Sequence, residues 1–178
     1  MAEFKPSYLI HGLPGHPLHP PLTDATIGTY TFATAAAVLS KLGVAERGLG
    51  QAWWLALVVG LVITVPTALT GLADWLLITR GSALWKTATL HLTAMVSATV
   101  FFGLAALFGH HSFKTGNVSA GPFILTIVGF GLLTLGGWLG GTIVFVHGMR
   151  VLNLVGEPAD RAVSPLPKPE KEAAEGGS

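Results

Sequence analysis

Four histidines and one aspartate carry most of the chemistry this chain can offer: His16, His19, His91, His147 and Asp74. Imidazole ligates haem iron and first-row metals, and it exchanges protons near neutral pH. His16 and His19 stand three apart in "GHPLHPPLTD" (15–24). There Pro17 and Pro20 restrict the backbone and preorganise the two rings. His91 and His147 fall inside long apolar runs, where an ionisable side chain is costly and is a functional suspect by default. Each residue taken singly also has a plainer role. An intramembrane histidine can satisfy itself on a carbonyl or a threonine, and His147 precedes Arg150, where the helix is leaving the hydrocarbon. Asp74 can pair with Arg80, Lys86 or Arg150, and Asp24 reads as an N-cap or first-turn acid. His110 and His111 belong to a solvated loop.

The elements that must position these groups follow from charge. The 178 residues are 51% hydrophobic and only 11% charged, against about 25% charged in soluble domains. Residues 25–40, 48–73, 87–113 and 115–149 contain no Asp, Glu, Lys or Arg. Runs of that length leave no polar face for a soluble amphipathic helix and suit spans of roughly 20 residues. The expected fold is all-α: an integral membrane four-helix up-down bundle over 22–152, with a His/Pro-rich segment (1–21) before it. After it comes a polar, proline-rich tail (153–178), expected to be disordered because it cannot bury enough apolar surface. Spans are expected at 22–42, 51–79, 84–108 and 121–151, with short connections that make sequence neighbours antiparallel. Trp53 and Trp75 lie about 33 Å apart along the second span at helical rise, which places them at the two membrane interfaces. Pro66 should kink that span, with Thr64 and Thr67 near enough to help the freed backbone. No internal repeat is convincing.

Four spans put both ends of the chain and the 80–83 loop on one side. Lys5, Arg80, Lys86, Arg150 and Arg161 lie there, against Lys41, Arg47 and Lys114 opposite, which favours cytoplasmic termini in a plasma membrane. His91 falls about 10 Å below the boundary on that side, and His147 at comparable depth. Asp74, Asp24, His16 and His19 belong to the same side. Polar residues from all four helices thus gather at one end, and this convergence favours function over structure. Gly136, Gly140, Val144 and His147 form one stripe at regular helical spacing. The glycines serve either close helix packing or the approach of a flat cofactor to bare backbone. Thr87, Ala88, Ala94, Met95 and Ala98 surround His91, and Thr67, Thr70, Gly71 and Asp74 form the matching stripe on the second span.

Several classes are excluded. A net charge of +1 offers no basic stripe for nucleic acid. The absence of cysteine removes disulfides, thiolate-bound clusters and covalent c-type haem. No basic segment precedes an apolar one at the N-terminus, so the first helix is expected to act as its own insertion signal. No nucleophile–base pair, phosphate loop or paired zinc-protease histidine motif occurs, so independent catalysis is not expected.

At "GHPLHPPLTDATIG" (15–28), "GLADW" (71–75), "HLTAM" (91–95) and "GGWLGGTIVFVHG" (136–148) the chain resembles a bacterial membrane family. It is the four-helix domain of unknown function numbered 2231. The resemblance covers about residues 11–152 and implies the fold and the four-histidine pattern. The chain departs from that pattern at Ala25-Thr26, where a proline often precedes Ile-Gly, and at Thr142, where an acid often follows the glycines. The second departure weakens any role for that acid. Fusion of some relatives to Rieske-type iron–sulfur domains implies redox company.

These observations lead to an expected membrane electron-transfer subunit binding b-type haem. His91 and His147 would be the axial pair, with Gly136 and Gly140 admitting the macrocycle. Arg80, Lys86 or Arg150 would meet its propionates. His16 and His19 would touch a propionate or quinone, or ligate a second haem. Electrons would pass between quinone and a partner such as an iron–sulfur protein. The alternative is a single Zn, Cu or Fe ion held by His16, His19, His91, His147 and Asp74. A third reading is a structural accessory subunit.

Overall fold

The computed structural model describes residues 5–13, 15–152, 155–156 and 158–159, so the expected tail lies almost wholly outside the described residues. A short helix α1 (Tyr8–His11) precedes α2 (His19–Lys41), α3 (Glu46–Leu76) and α4 (Ala83–Phe108). Then come a one-turn α5 (Ser112–Thr115) and α6 (Ala120–Gly141), which runs on into a π-helical turn at Thr142–Val146. Among the described residues there is no strand. Local chemistry explains the boundaries. Pro20 and Pro21 occupy the first turn of α2, where a missing N–H costs nothing and a fixed φ favours the helix. This makes His19 the first residue of α2. Ser82 caps α4 by accepting from the Trp85 N–H at 3.1 Å.

Three helices are long and apolar enough to cross a membrane: Glu46–Leu76, Ala83–Phe108 and Ala120–Val146. The 23-residue α2, with its threonines, is not among them. The second span starts five residues earlier than expected and ends three residues sooner. Asp24 is exposed and more than a turn inside α2, so it is neither cap nor first-turn acid; the prolines had moved the helix start forward to His19.

Helices α2 and α3 pack closely as one hairpin and α4 and α6 as another, with looser contact between the hairpins. The core fills one half of the bundle. Trp53, Tyr30, Phe102 and Leu57 are fully buried there among Ala33, Ala36, Ala37 and Ala105. Tyr30 stacks on Phe102 with ring centres 4.1 Å apart. Trp53 is 0% exposed and donates its indole N–H to Thr126 Oγ1 at 3.1 Å. It is a core residue rather than the expected interfacial anchor, because α3 begins at Glu46 and carries Trp53 nearly two turns inward. Trp75, at the other end, donates to Thr89 Oγ1 at 3.0 Å and packs on Trp85.

The hairpins repeat one another. Tyr30 lies on Gly60, and Phe102, 72 residues after Tyr30, lies on Gly129, 69 residues after Gly60. Ser40 and Ser112 keep the same offset of 72, and each is a buried serine donating to a carbonyl five or six residues ahead. The repeat escapes the sequence because so few of its paired positions keep the same residue.

Candidate functional site

The repeat extends to the histidines. His19 Nδ1 donates to the Thr67 carbonyl at 3.0 Å, and His91 Nδ1 donates to the Gly136 carbonyl at 2.8 Å. Each ring rests on a glycine one turn beyond its carbonyl. A Cβ on Gly71 would lie 2.5 Å from His19 Cε1, and one on Gly140 would lie 3.3 Å from His91 Cε1. The same offsets of 72 and 69 relate every member of the two sets. A carbonyl only accepts, so both rings carry their proton on Nδ1 and keep a lone pair on Nε2. The two rings meet across the hairpins with centres 6.4 Å apart and planes at 84°. His91 Nε2 has no hydrogen-bond partner among the described residues. His19 Nε2 has only the Thr23 hydroxyl at 3.5 Å, and that hydroxyl already donates to the His19 carbonyl.

The contrast with the next tier is informative. Eleven residues further along each helix, Tyr30 and Phe102 close to 4.1 Å and stack. At the histidine tier the rings stay half-buried and apart. The threonine side chains there are glue on one hairpin only. Thr26 and Thr67 pair at 3.0 Å between α2 and α3, whereas the matching positions in the second hairpin are Ala98 and Gly136.

The other expected site residues are placed differently. Asp74 is buried and binds His11 Nδ1 at 2.8 Å and Arg150 Nη2 at 2.5 Å. It ties α1 and the segment after α6 to the end of α3. His11 is the partner that sequence reasoning left unassigned; its place in the histidine-rich opening was the available signal. His16 is exposed in a tight turn, where its N–H bonds the Leu13 carbonyl. His147 stays on the α4-facing side of Gly136 and Gly140: those two meet Met95 and His91 on α4, and His147 meets Thr87, one turn before His91. The π-turn at Thr142–Val146 adds a residue to the helical register, and His147 Nε2 still reaches the Thr87 hydroxyl at 3.1 Å. The single metal shell drawn from His16, His19, His91, His147 and Asp74 is therefore not assembled. Among the described residues no three His, Asp or Glu converge to hold an ion. Nor are Gly136 and Gly140 a bare surface for a macrocycle, since Met95 covers the first and His91 the second. Arg80 and Lys86 are exposed without a partner among the described residues.

A family model described as "Predicted membrane protein (DUF2231)" matches residues 15–153. The chain belongs to the DUF2231 family. No curated protein and no solved structure matches it. The match covers both hairpins and the segment through His147, but not His11, so Asp74 in this DUF2231 chain is paired with a residue lying outside the matched region.

The two glycine seats predict unequal tolerance. In Gly71→Ala the new methyl would meet the rigid His19 ring well inside contact distance, so the ring must leave its carbonyl. In Gly140→Ala a shift of a few tenths of an ångström suffices. Histidine-to-carbonyl geometry, followed by the imidazole ¹⁵N shifts, is expected to change strongly at His19 in the first variant and slightly at His91 in the second.

Proposed function

We propose that this membrane protein carries a b-type haem between its two hairpins, with His19 and His91 as axial ligands, and serves as an electron-carrying subunit. One observation carries the reading: two imidazoles from repeated halves face each other, each fixed through Nδ1–H to a backbone carbonyl. That hydrogen bond is the usual second-shell support of a metal-bound histidine, setting both tautomer and ring orientation. The ring centres stand 6.4 Å apart with planes at 84°, so His19 and His91 would be the residues that hold the group. The donor set fits haem better than a bare ion. Zinc asks for about four protein or water ligands, while haem iron brings four nitrogens of its own and needs two imidazoles. When bound, the haem supplies reversible one-electron transfer.

The protein's part is to hold the imidazoles in one tautomer, to keep the lower half of the bundle dry, and to confine exchange to the histidine end. The reading moves the axial pair from His91 and His147 to His91 and His19. It also makes α2 the fourth span. Its 23 residues reach about 34 Å at helical rise. The hydroxyls of Thr23, Thr26, Thr29 and Thr34 each bond a carbonyl four residues back, which removes the main cost of threonine in lipid. A quinone and an iron–sulfur protein are the partners this chemistry suits, with the histidine end toward the cytoplasm.

A visible spectrum of the purified full-length protein tests the reading. The expected result is a Soret band that moves on reduction, with the sharp α-band of low-spin, six-coordinate iron. Protein purified from haem-replete cells that is colourless, and that takes up no haem on titration, would overturn it.

A further inference from the structure

A second feature stands at the histidine end of the bundle. A groove of about 560 Å³ is lined by Leu77, Ile78, Thr79, Ser82, Leu84, Met149 and Arg150. Its walls are the connection between α3 and α4 on one side and the segment after the π-turn on the other. Four lining side chains are apolar, two are hydroxyls and one is a guanidinium.

The polar groups are arranged to donate. Arg150 is one of two described non-glycine residues in left-handed backbone, at φ 63°, a conformation that costs free energy and persists only where the surroundings impose it. Its guanidinium Nη2 lies 2.5 Å from Asp74 Oδ1 and 3.2 Å from His11 Nδ1. The remaining guanidinium N–H groups are left to the groove, with the side chain 35% exposed. Ser82 Oγ accepts from the Trp85 N–H, so its own proton is available, and the exposed Thr79 hydroxyl has no partner among the described residues. A fixed guanidinium with two hydroxyl donors suits a tetrahedral phosphate oxygen set. Leu77, Ile78, Leu84 and Met149 offer the surface beside which an acyl chain would run. Trp75 and Trp85, packed on each other at this end, mark the headgroup level.

We propose that this groove binds the headgroup of an anionic phospholipid, with Arg150 on the phosphate and the apolar wall along the first carbons of a chain. Basic pockets at the ends of membrane helices recognise lipids in this way. The site depends on the Asp74–Arg150 pair and not on the His19 and His91 rings, so it stands or falls independently of haem.

The test uses the full-length protein in detergent, with retained lipid read by native mass spectrometry. Phosphatidylglycerol, phosphatidylcholine and inorganic phosphate are the probes. Phosphatidylglycerol is expected to be held about tenfold more tightly than phosphatidylcholine, because both offer the phosphate but only phosphatidylcholine sets a cation beside the guanidinium. Arg150→Gln should abolish the preference. Because that change also frees Asp74 and α1, Thr79→Val provides the second variant. It leaves the ion pair intact and should weaken phosphatidylglycerol severalfold. Equal retention of the two lipids by the unmodified protein would overturn the proposal, as would phosphatidylglycerol retention left undiminished by Thr79→Val. Displacement of the lipid by millimolar inorganic phosphate would overturn it too, since the site would then belong to a free anion.

Discussion

If the proposed haem is held by His19 and His91, replacing either with alanine is expected to remove the low-spin spectrum that the proposal calls for, while His147→Ala leaves it standing. Low-spin iron of this kind requires two strong-field imidazoles, so loss of one ring opens an axial position or prevents haem uptake. Both alanine variants should lose the low-spin spectrum, because each half supplies one imidazole oriented by a backbone carbonyl. His19 leans on the Thr67 carbonyl and Gly71, and His91 on the Gly136 carbonyl and Gly140. His147 has a different attachment, the Thr87 hydroxyl one turn from His91, and its loss should at most shift the potential. Helical content and elution volume show whether each variant is folded. A low-spin spectrum surviving in folded His19→Ala protein would remove His19 from the ligand set and return attention to His147.

Trp53→Ala is expected to cost about 3–5 kcal/mol of stability, the range for deleting a large buried aromatic side chain. The residue is fully enclosed, and Gly109 packs directly against its ring. Truncation would leave a cavity walled by rigid helices. Trp53→Phe keeps most of the ring but strands the contact to Thr126, a loss of about 1 kcal/mol. Reversible unfolding in mixed detergent micelles, followed by circular dichroism, gives both values. A lipid-facing anchor in the same sequence position would change stability by about 0.5 kcal/mol or less, so the measurement separates the two placements of Trp53 cleanly.

Charge-free runs made the helical class and three of the spans legible, because a membrane helix leaves a long signature that local detail cannot erase. The family, too, was legible from its four motifs, and the matched range of 15–153 agrees with them. His91 stood out because it lies inside the charge-free run 87–113. Its partner was harder to see. His19 shares its segment with His16, and only the helix start set by Pro20 and Pro21 separates the inward ring from the exposed one. His147 keeps the α4-facing side that the stripe from Gly136 gave it, although a π-turn follows Gly141. The carbonyls that orient both imidazoles belong to backbone, and backbone partners leave almost no trace in residue type. The repeat was hidden because packing conserves size at each position rather than identity: Tyr30 answers to Phe102, and Thr67 to Gly136.

That repeat bears on how such a molecule could have arisen. One hairpin alone owns a single oriented imidazole, which makes a poor ligand set for anything. Two copies laid side by side own a pair, so the binding capability would appear at the moment of association rather than by gradual acquisition. Fusing the copies into one polypeptide then frees each half to drift. The hydroxyls paired between α2 and α3 have apolar counterparts between α4 and α6, so the two hairpins share the placement of a histidine while differing in what holds each hairpin together.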